Sequence, residues 1–148
     1  MTRHNRRMRI GELARLTGTA IDTIRHYERE GLLDTPPRTD AGYRIYDAAD
    51  AERLHFIRRC RSLDMNLAEV RTLLALQAGG HCTETSALLE AHIEHVSARI
   101  TALQELEREL RALRARCTGT EGACAILEGL AQPGAEPPAK NHIGHSHP

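Results

Sequence analysis

One pattern limits this chain more than any other. Leu89, Val96, Leu103, Leu110 and Cys117 recur every seventh residue, with Ile93 and Ile100 flanking the row early and Leu106 and Leu113 flanking it late. The spacing predicts a single helix from about Thr83 to Arg116 with a coiled-coil seam along one side. Such a helix is a rod of about 50 Å. It cannot cover its own apolar stripe, and nothing else in the sequence is long enough to do so. The expected partner is a second copy of the chain, a homodimer. Heptad spacing alone leaves parallel and antiparallel arrangements open.

The residues ahead of the rod are organised differently. "IGELARLTG" places Ile10, Leu13, Ala14 and Leu16 roughly on one helical face, and Gly18 interrupts it. "TAIDTIRHYEREG" restarts a helix, with Thr19 as expected N-cap, Asp22 three residues on and Gly31 at the stop. Ile21 and Ile24 are expected inward, and Thr23, Arg25, His26 and Tyr27 outward. Two short helices about a glycine turn make a helix-turn-helix, whose second helix enters a major groove. An ordinary helical pair would show the same local pattern. Next, Pro36-Pro37 forbid a helix, "TDAG" makes a turn and "YRIY" alternates like a strand, so a small β-hairpin or wing is expected. It carries Arg38, Tyr43 and Arg44, donors suited to phosphate. Asp47 and Asn66 are expected to cap two further helices, and Cys60 falls on the apolar face of the first as a core residue.

Charge follows the same division. Residues 1–80 hold 14 Arg against 11 Asp and Glu, and residues 81–148 hold 6 Arg and Lys against 9 Asp and Glu. The halves therefore differ in sign although the net charge is zero. Every base in the first half is arginine, whose fork suits phosphates and guanine edges. With aromatics at 3% and no tryptophan, the core must be aliphatic and helical. No apolar run reaches membrane-spanning length, and no apolar stretch follows the basic "MTRHNRRMRIGEL", so neither a membrane span nor a secretory signal is expected. A cytoplasmic chain with four reduced cysteines follows. Two of them bracket "CTGTEGAC", residues 117–124. Taken alone, the pair fits a disulfide, a redox pair, two buried thiols or half of a metal site.

From Met8 to Leu76, "IGELARLTG", "TIRHYEREGLL", "GYRIYD" and "FIRRCRSLDMNLAEVRTLL" resemble, in order and spacing, the N-terminal half of the MerR family of bacterial transcription regulators. The long helix and cysteine-bearing end resemble its metal-responsive branch. His26 departs from the family pattern, which commonly has tyrosine beside Tyr27. "MRIGEL" resembles the usual family start, so residues 1–7 are expected to be an extension without a role.

The resemblance implies a mainly α fold. A winged helix-turn-helix with linker helices spans 8–76, and a hinge and antiparallel dimerisation helix span 77–116. A metal-binding loop with a short helix spans 117–131, and a disordered tail spans 132–148. It implies a dimer on a promoter pseudo-palindrome, and metal-dependent DNA distortion that lets RNA polymerase use badly spaced promoter elements. Thr23, Arg25, His26, Tyr27, Arg38, Tyr43 and Arg44 are the expected DNA contacts.

The expected metal ligands are Cys117 and Cys124 from one copy and Cys82 from the other. Cys82 starts the long helix and the loop ends it, so only an antiparallel partner brings all three together. The compartment disfavours a disulfide, iron–sulfur chemistry needs four grouped cysteines, and a drug-sensing member would need a larger effector domain. Three thiolates suit soft or borderline ions. The six-residue loop, "ACAILEGL" and the histidine-bearing tail look most like the cadmium- and lead-responsive branch, so Cd(II) or Pb(II) is the expected effector, with Hg(II) or Zn(II) as alternatives. His92 and His95, three apart on the helix, and His142, His145 and His147 in the tail are candidates for a second metal site. His81, beside Cys82, is a weaker candidate ligand. A thiol-based metal buffer would use the same cysteines but needs no DNA-reading half. No nucleophile–base pair, phosphate-binding glycine loop or carboxylate pair at useful spacing points to an enzyme.

Overall fold

The computed structural model describes residues 6–117, 119 and 122–134. It is mainly helical: α1 (Ile10–Thr17), α2 (Ile21–Arg29), α3 (Ala48–Ser62), α4 (Leu67–Gln77), α5 (Cys82–Ala115) and α6 (Ala125–Ala131). The chain divides into two compact units, one ending at Leu89 and the other beginning at Glu90.

In the first unit the core is built on one stripe of α3. Ala51, Leu54, Ile57 and Cys60 recur at three-residue intervals and are all buried. Against this cluster lie Leu13 of α1, Ile24 of α2, Val70 and Leu73 of α4, and Leu32 and Leu33. Both caps expected for α3 and α4 are complete capping boxes. Asp47 and Asp50 exchange side-chain and backbone hydrogen bonds at α3, and Asn66 and Glu69 do so at α4.

The turn between α1 and α2 depends on Gly18, whose φ of 62° is the left-handed conformation that closes a helix. Here two expectations are corrected. Thr19 does not cap α2: Ala20 occupies that position with no side-chain cap. Thr19 is buried instead, and its hydroxyl has no partner among the described residues. The left-handed turn carries the chain one residue further before the helix begins. Leu16 does not share the inward face of α1: it is 55% exposed, whereas Leu13 and Thr17 are buried. Residues 13 and 17 are one helical turn apart and define the inward line, which leaves Leu16 to one side.

The same shift changes α2. Ile21 is exposed, while Ile24 and Tyr27 face the core. Tyr27, expected outward, is 7% exposed because it lies three residues from Ile24 on the same face.

The wing is thinner than a hairpin with full strands. Two isolated antiparallel bridges are present, Arg38 with Arg44 and Met8 with Tyr46. Proline has no N–H to extend a ladder, so Pro36-Pro37 stop the pairing beyond Arg38. The segment after Gly42 then turns to the N-terminal strand-like residues, where Met8 and Tyr46 exchange backbone hydrogen bonds of 2.9 and 2.8 Å.

Helix α5 runs for 34 residues. Leu89, Ile93, Ile100, Leu103, Leu106 and Leu110 are 40–63% exposed along it. In the second unit α6 meets the last turns of α5 at Gly129, where an added Cβ would lie 3.1 Å from a Leu113 methyl group and close against the Arg116 guanidinium. No helix among the described residues is long and apolar enough to cross a membrane.

The inward line of α1 is open to a direct check. Leu13→Ala should cost about 2–5 kcal/mol by chemical denaturation, as truncation of a core leucine does. Leu16→Ala should stay within about 0.5 kcal/mol, as for an exposed position.

Candidate functional site

Fourteen arginines in residues 1–80 do not all serve one purpose. Two close helix ends, where backbone carbonyls lack helical partners, and two hold the turns that follow helices. Arg58 donates to the Thr17 carbonyl at the end of α1. Arg53 Nε donates to the Leu32 carbonyl at 2.6 Å, and Arg71 Nη2 to the Glu30 carbonyl at the end of α2 at 2.7 Å. Arg61 Nη1 donates to the Met65 carbonyl at 2.7 Å. These four are structural.

A second set gathers at one cleft of about 550 Å³ between the start of α1, α2 and the wing. Arg9, Arg15, Arg25, Arg38 and Arg44 line it, with Glu12 as the one acid among the lining residues. Tyr43 stands at its edge, exposed, with the Arg9 guanidinium 3.8 Å from its ring centre. Arg38 Nη1 donates to the Gly42 carbonyl at 3.2 Å, which holds the wing arginine across its own turn. A concave surface with this excess of planar cations suits a polyanion whose phosphates can accept paired hydrogen bonds.

Four of the residues expected from sequence, Arg25, Arg38, Tyr43 and Arg44, thus share one cleft. Thr23 and His26 are half-buried on α2 and do not line it, and Tyr27 belongs to the core. Sequence reasoning missed Arg9 and Arg15. The available signal was the arginine-rich start "NRRMRI", of which Arg9 and Ile10 line the cleft.

Behind the cleft sits a buried carboxylate. The Glu28 side chain is 4% exposed. Arg44 Nη1 donates to its Oε2 at 3.1 Å, and the Tyr46 hydroxyl donates to its Oε1. Burial first, then the hydrogen bond and charge of Glu28, push the Tyr46 phenol well above the ordinary tyrosine range, and Arg44 offsets part of this. Tyr46 is therefore a firm donor at any physiological pH. Its contribution to stability is intact below the ordinary value of about 10 and is lost only as pH rises through the raised value.

The thiols are divided. Cys60 is buried in the core, and burial raises its pKa. Cys82, Cys117 and Cys124 are free and exposed. Cys82 is the first residue of α5, Cys117 lies just past its end, and Cys124 is the N-cap of α6. Among the described residues of a single chain, no three His, Cys, Asp or Glu side chains are grouped to hold a metal ion. The donor chemistry of Cys82, Cys117 and Cys124 fits a soft ion, yet the described residues of one chain do not bring three such donors together. His92 is buried and His95 exposed, so the helix pair does not present two open imidazoles. His142, His145 and His147 lie outside the described residues. His81 Nδ1 is 3.7 Å from Glu84 Oε1.

A left-handed glycine turn between two short helices, a minimal wing and an arginine cleft define a helix-turn-helix protein. Residues 8–77 match the MerR HTH family regulatory protein domain, and residues 51–113 match the MerR DNA-binding domain. The HTH-type transcriptional regulator ZntR of Escherichia coli (strain K12) is 38% identical over 130 residues, covering 84% of this chain and 92% of that protein. The mercuric resistance operon regulatory protein of Bacillus cereus is 38% identical over 128 residues, covering 84% of this chain and 97% of that one. The crystal structure of the transcription regulator PbrR691 from Ralstonia metallidurans CH34, in complex with lead(II), superposes with a TM-score of 0.75 at 44% identity, covering 84% of this chain and 99% of that one. The chain belongs to the MerR family of helix-turn-helix regulatory proteins.

The division of thiols sets an expected count. A disulfide reagent such as dithionitrobenzoate should react rapidly with three thiols per chain in the native, reduced, metal-free protein. The fourth, Cys60, should react only on denaturation. A rapid fourth equivalent would place Cys60 outside the core.

Proposed function

We propose that the chain is a metal-responsive transcription regulator that binds promoter DNA as a dimer and is switched to activation by Cd(II) or Pb(II). The observation that carries this is the pairing of an arginine cleft in the first unit with three exposed, unpaired thiols at the two ends of α5 and at α6. A thiol buffer would have no use for the cleft. Identity of 44% to a regulator crystallised with lead(II) supports the choice of ion.

In this proposal α2 enters the major groove, Arg25 approaches the DNA from that helix, and Arg38, Tyr43 and Arg44 reach the flanking backbone from the wing. Arg9 and Arg15 add to the phosphate-facing charge. The exposed apolar row of α5 is covered by a second copy, as an unpartnered stripe of this length in water requires. Run antiparallel, that pairing sets Cys82 of one copy beside Cys117 and Cys124 of the other, a triad that no single chain assembles. An ion held there supplies a cross-link between the copies. The close packing of α6 on Leu113 and Arg116 at Gly129 ties the loop to the end of α5, so a change at the thiols is felt along the dimer helix. The dimer then holds the two DNA-reading units at a different angle, and the DNA between them is distorted so that RNA polymerase can engage the promoter. The ion need not alter affinity for DNA; it has to favour one of two dimer arrangements.

Hg(II) is the second effector reading, favoured by the relative from a mercuric resistance operon. Zn(II), a borderline ion that thiolates also bind, is the third, because selectivity among these ions is set by geometry more than by affinity.

Two outcomes are expected. Titration of the reduced protein with Cd(II), Pb(II), Hg(II) and Zn(II), followed by sulfur-to-metal charge-transfer absorbance, should saturate near one ion per thiolate triad. The band should be lost or altered in Cys82→Ser, and promoter activation in a purified transcription assay should be greatest with Cd(II) and Pb(II), since selectivity follows geometry more than affinity. Bands indifferent to Cys82 would remove it from the site. On DNA, Arg38→Ala should weaken binding to all duplexes alike and lower the salt slope by about 1 per subunit, the mark of a lost phosphate contact. An unchanged slope would take Arg38 off the backbone.

A further inference from the structure

The proposed DNA contacts come from two separate pieces of chain, α2 and the wing, and something must fix the distance between them. We propose that Glu28 is the positioning residue that does so, and that it thereby sets the spacing at which the α2 and wing arginines meet DNA. This rests on the DNA-binding function proposed above.

The geometry is specific to that role. Each carboxylate oxygen of Glu28 receives one donor, Oε1 from the Tyr46 hydroxyl and Oε2 from Arg44 Nη1 at 3.1 Å. Arg44 and Tyr46 are two apart on an extended segment, so their side chains leave the same face of it. Each also anchors a different neighbour through its backbone: Arg44 bridges to Arg38 across the wing, and Tyr46 bridges to Met8. One carboxylate on α2 therefore registers three segments, namely the helix itself, the wing and the residues leading into α1. Arg44 remains 35% exposed and lines the cleft, so a guanidinium with five N–H donors gives one to Glu28 and keeps others for a phosphate.

Apolar contacts could hold a wing against a helix with less desolvation cost than a buried carboxylate. What they cannot supply is direction. Two hydrogen bonds accepted by one planar carboxylate fix the rotation of the wing about the helix and the rotamer of Arg44 together. A merely adhesive contact would leave both free. Loss of Glu28 also releases a positive charge next to the cleft, so general electrostatic attraction for DNA does not fall. Only the match to a particular sequence and spacing should suffer.

The test uses the full-length reduced protein and a duplex that the wild-type chain selects from a random pool, beside a scrambled duplex of equal composition. Failure of the wild type to enrich any duplex would overturn the DNA-binding function itself and is read before any variant is compared. Given enrichment, Glu28→Gln, which keeps an oxygen for Tyr46 but not the charge for Arg44, should lower the selected-over-scrambled affinity ratio by about tenfold, the scale of one mismatched base pair in a site. Binding to the scrambled duplex should hold or tighten. Glu28→Asp should not recover the ratio, because the shorter arm cannot reach both donors. The double variant Glu28→Gln with Arg44→Gln should lose no more than the worse single variant, since both act through one contact. A ratio within twofold of wild type in Glu28→Gln, additive losses in the double variant, or loss of cooperative unfolding in Glu28→Gln would each overturn the positioning role, the last by making the residue purely structural.

Discussion

The DNA-reading half rests on one line of four small and medium side chains, Ala51, Leu54, Ile57 and Cys60, on the inner face of α3. In a sequence with so few aromatic residues, each helix has to bring its own aliphatic stripe to a common surface, and α3 supplies that surface. Each three-residue step shifts the row by about 60° on an α-helix, so it winds around α3 as a ridge. Arginines stand between its members, and two of them, Arg53 and Arg58, reach across to the Leu32 carbonyl in the turn after α2 and the Thr17 carbonyl at the end of α1. Packing and end-capping are thus two products of one helix. The short helices α1 and α2 would be marginal alone, because helices of this length gain little from their own hydrogen bonds. They are held by what α3 offers on both counts.

The partition of arginines follows from that arrangement and explains why a neutral chain can carry a strongly basic cleft. Arg53, Arg58, Arg61 and Arg71 each commit a donor to a backbone carbonyl, and Arg71 also lies 3.7 Å from a Glu30 carboxylate oxygen. They are distributed around the core. Arg9, Arg15, Arg25, Arg38 and Arg44 converge instead on one concavity with a single acid in its lining. Net charge averages the two populations and hides the second. Local field, which is what attracts a polyanion, depends on convergence and not on the sum.

Much of this was legible in the sequence where the determinants are local. The capping boxes at Asp47 and Asn66 need only residues three apart, and both form. The stop after α2 needs only Gly31, which stands at a φ of 71°. Cys60 at helical spacing from Phe56 and Ile57 was readable as core for the same reason. Misassignments arose where two faces compete for a residue. Leu16 and Ile21 look inward by composition, but the inward line is fixed by Leu13 and Thr17 on α1 and by Ile24 and Tyr27 on α2. A threonine and a tyrosine therefore displaced two aliphatic residues from the core. Thr17 can do so because its hydroxyl donates to the Leu13 carbonyl and needs nothing else. The contacts of Glu28 were not legible at all. They span 16 and 18 residues, and no periodicity links a helix position to two positions on a wing. Only the alternation of Arg44 and Tyr46 hinted that both point the same way.

Helix α5 and the residues after it pose the opposite problem, because their chemistry is plain and their assembly is not contained in one chain. Six large aliphatic side chains stand exposed along α5, and three exposed thiols stand at its start, just past its end and at the cap of α6. Covering the stripe and grouping the thiols are separate requirements, since either could be met without the other. A parallel second copy would cover the stripe but leave Cys82 at the end away from the loop. A metal ion bound by Cys117 and Cys124 alone would use two thiols and leave Cys82 idle. An antiparallel second copy meets both requirements with one contact, and it makes ligand grouping a property of the interface. An ion at such a place stabilises the arrangement of copies that completes its ligand set, by the ordinary linkage between binding and the state that binds. In the proposed regulator, that linkage is the physical route from thiols at one end of a rod of about 50 Å to the angle between two DNA-reading units.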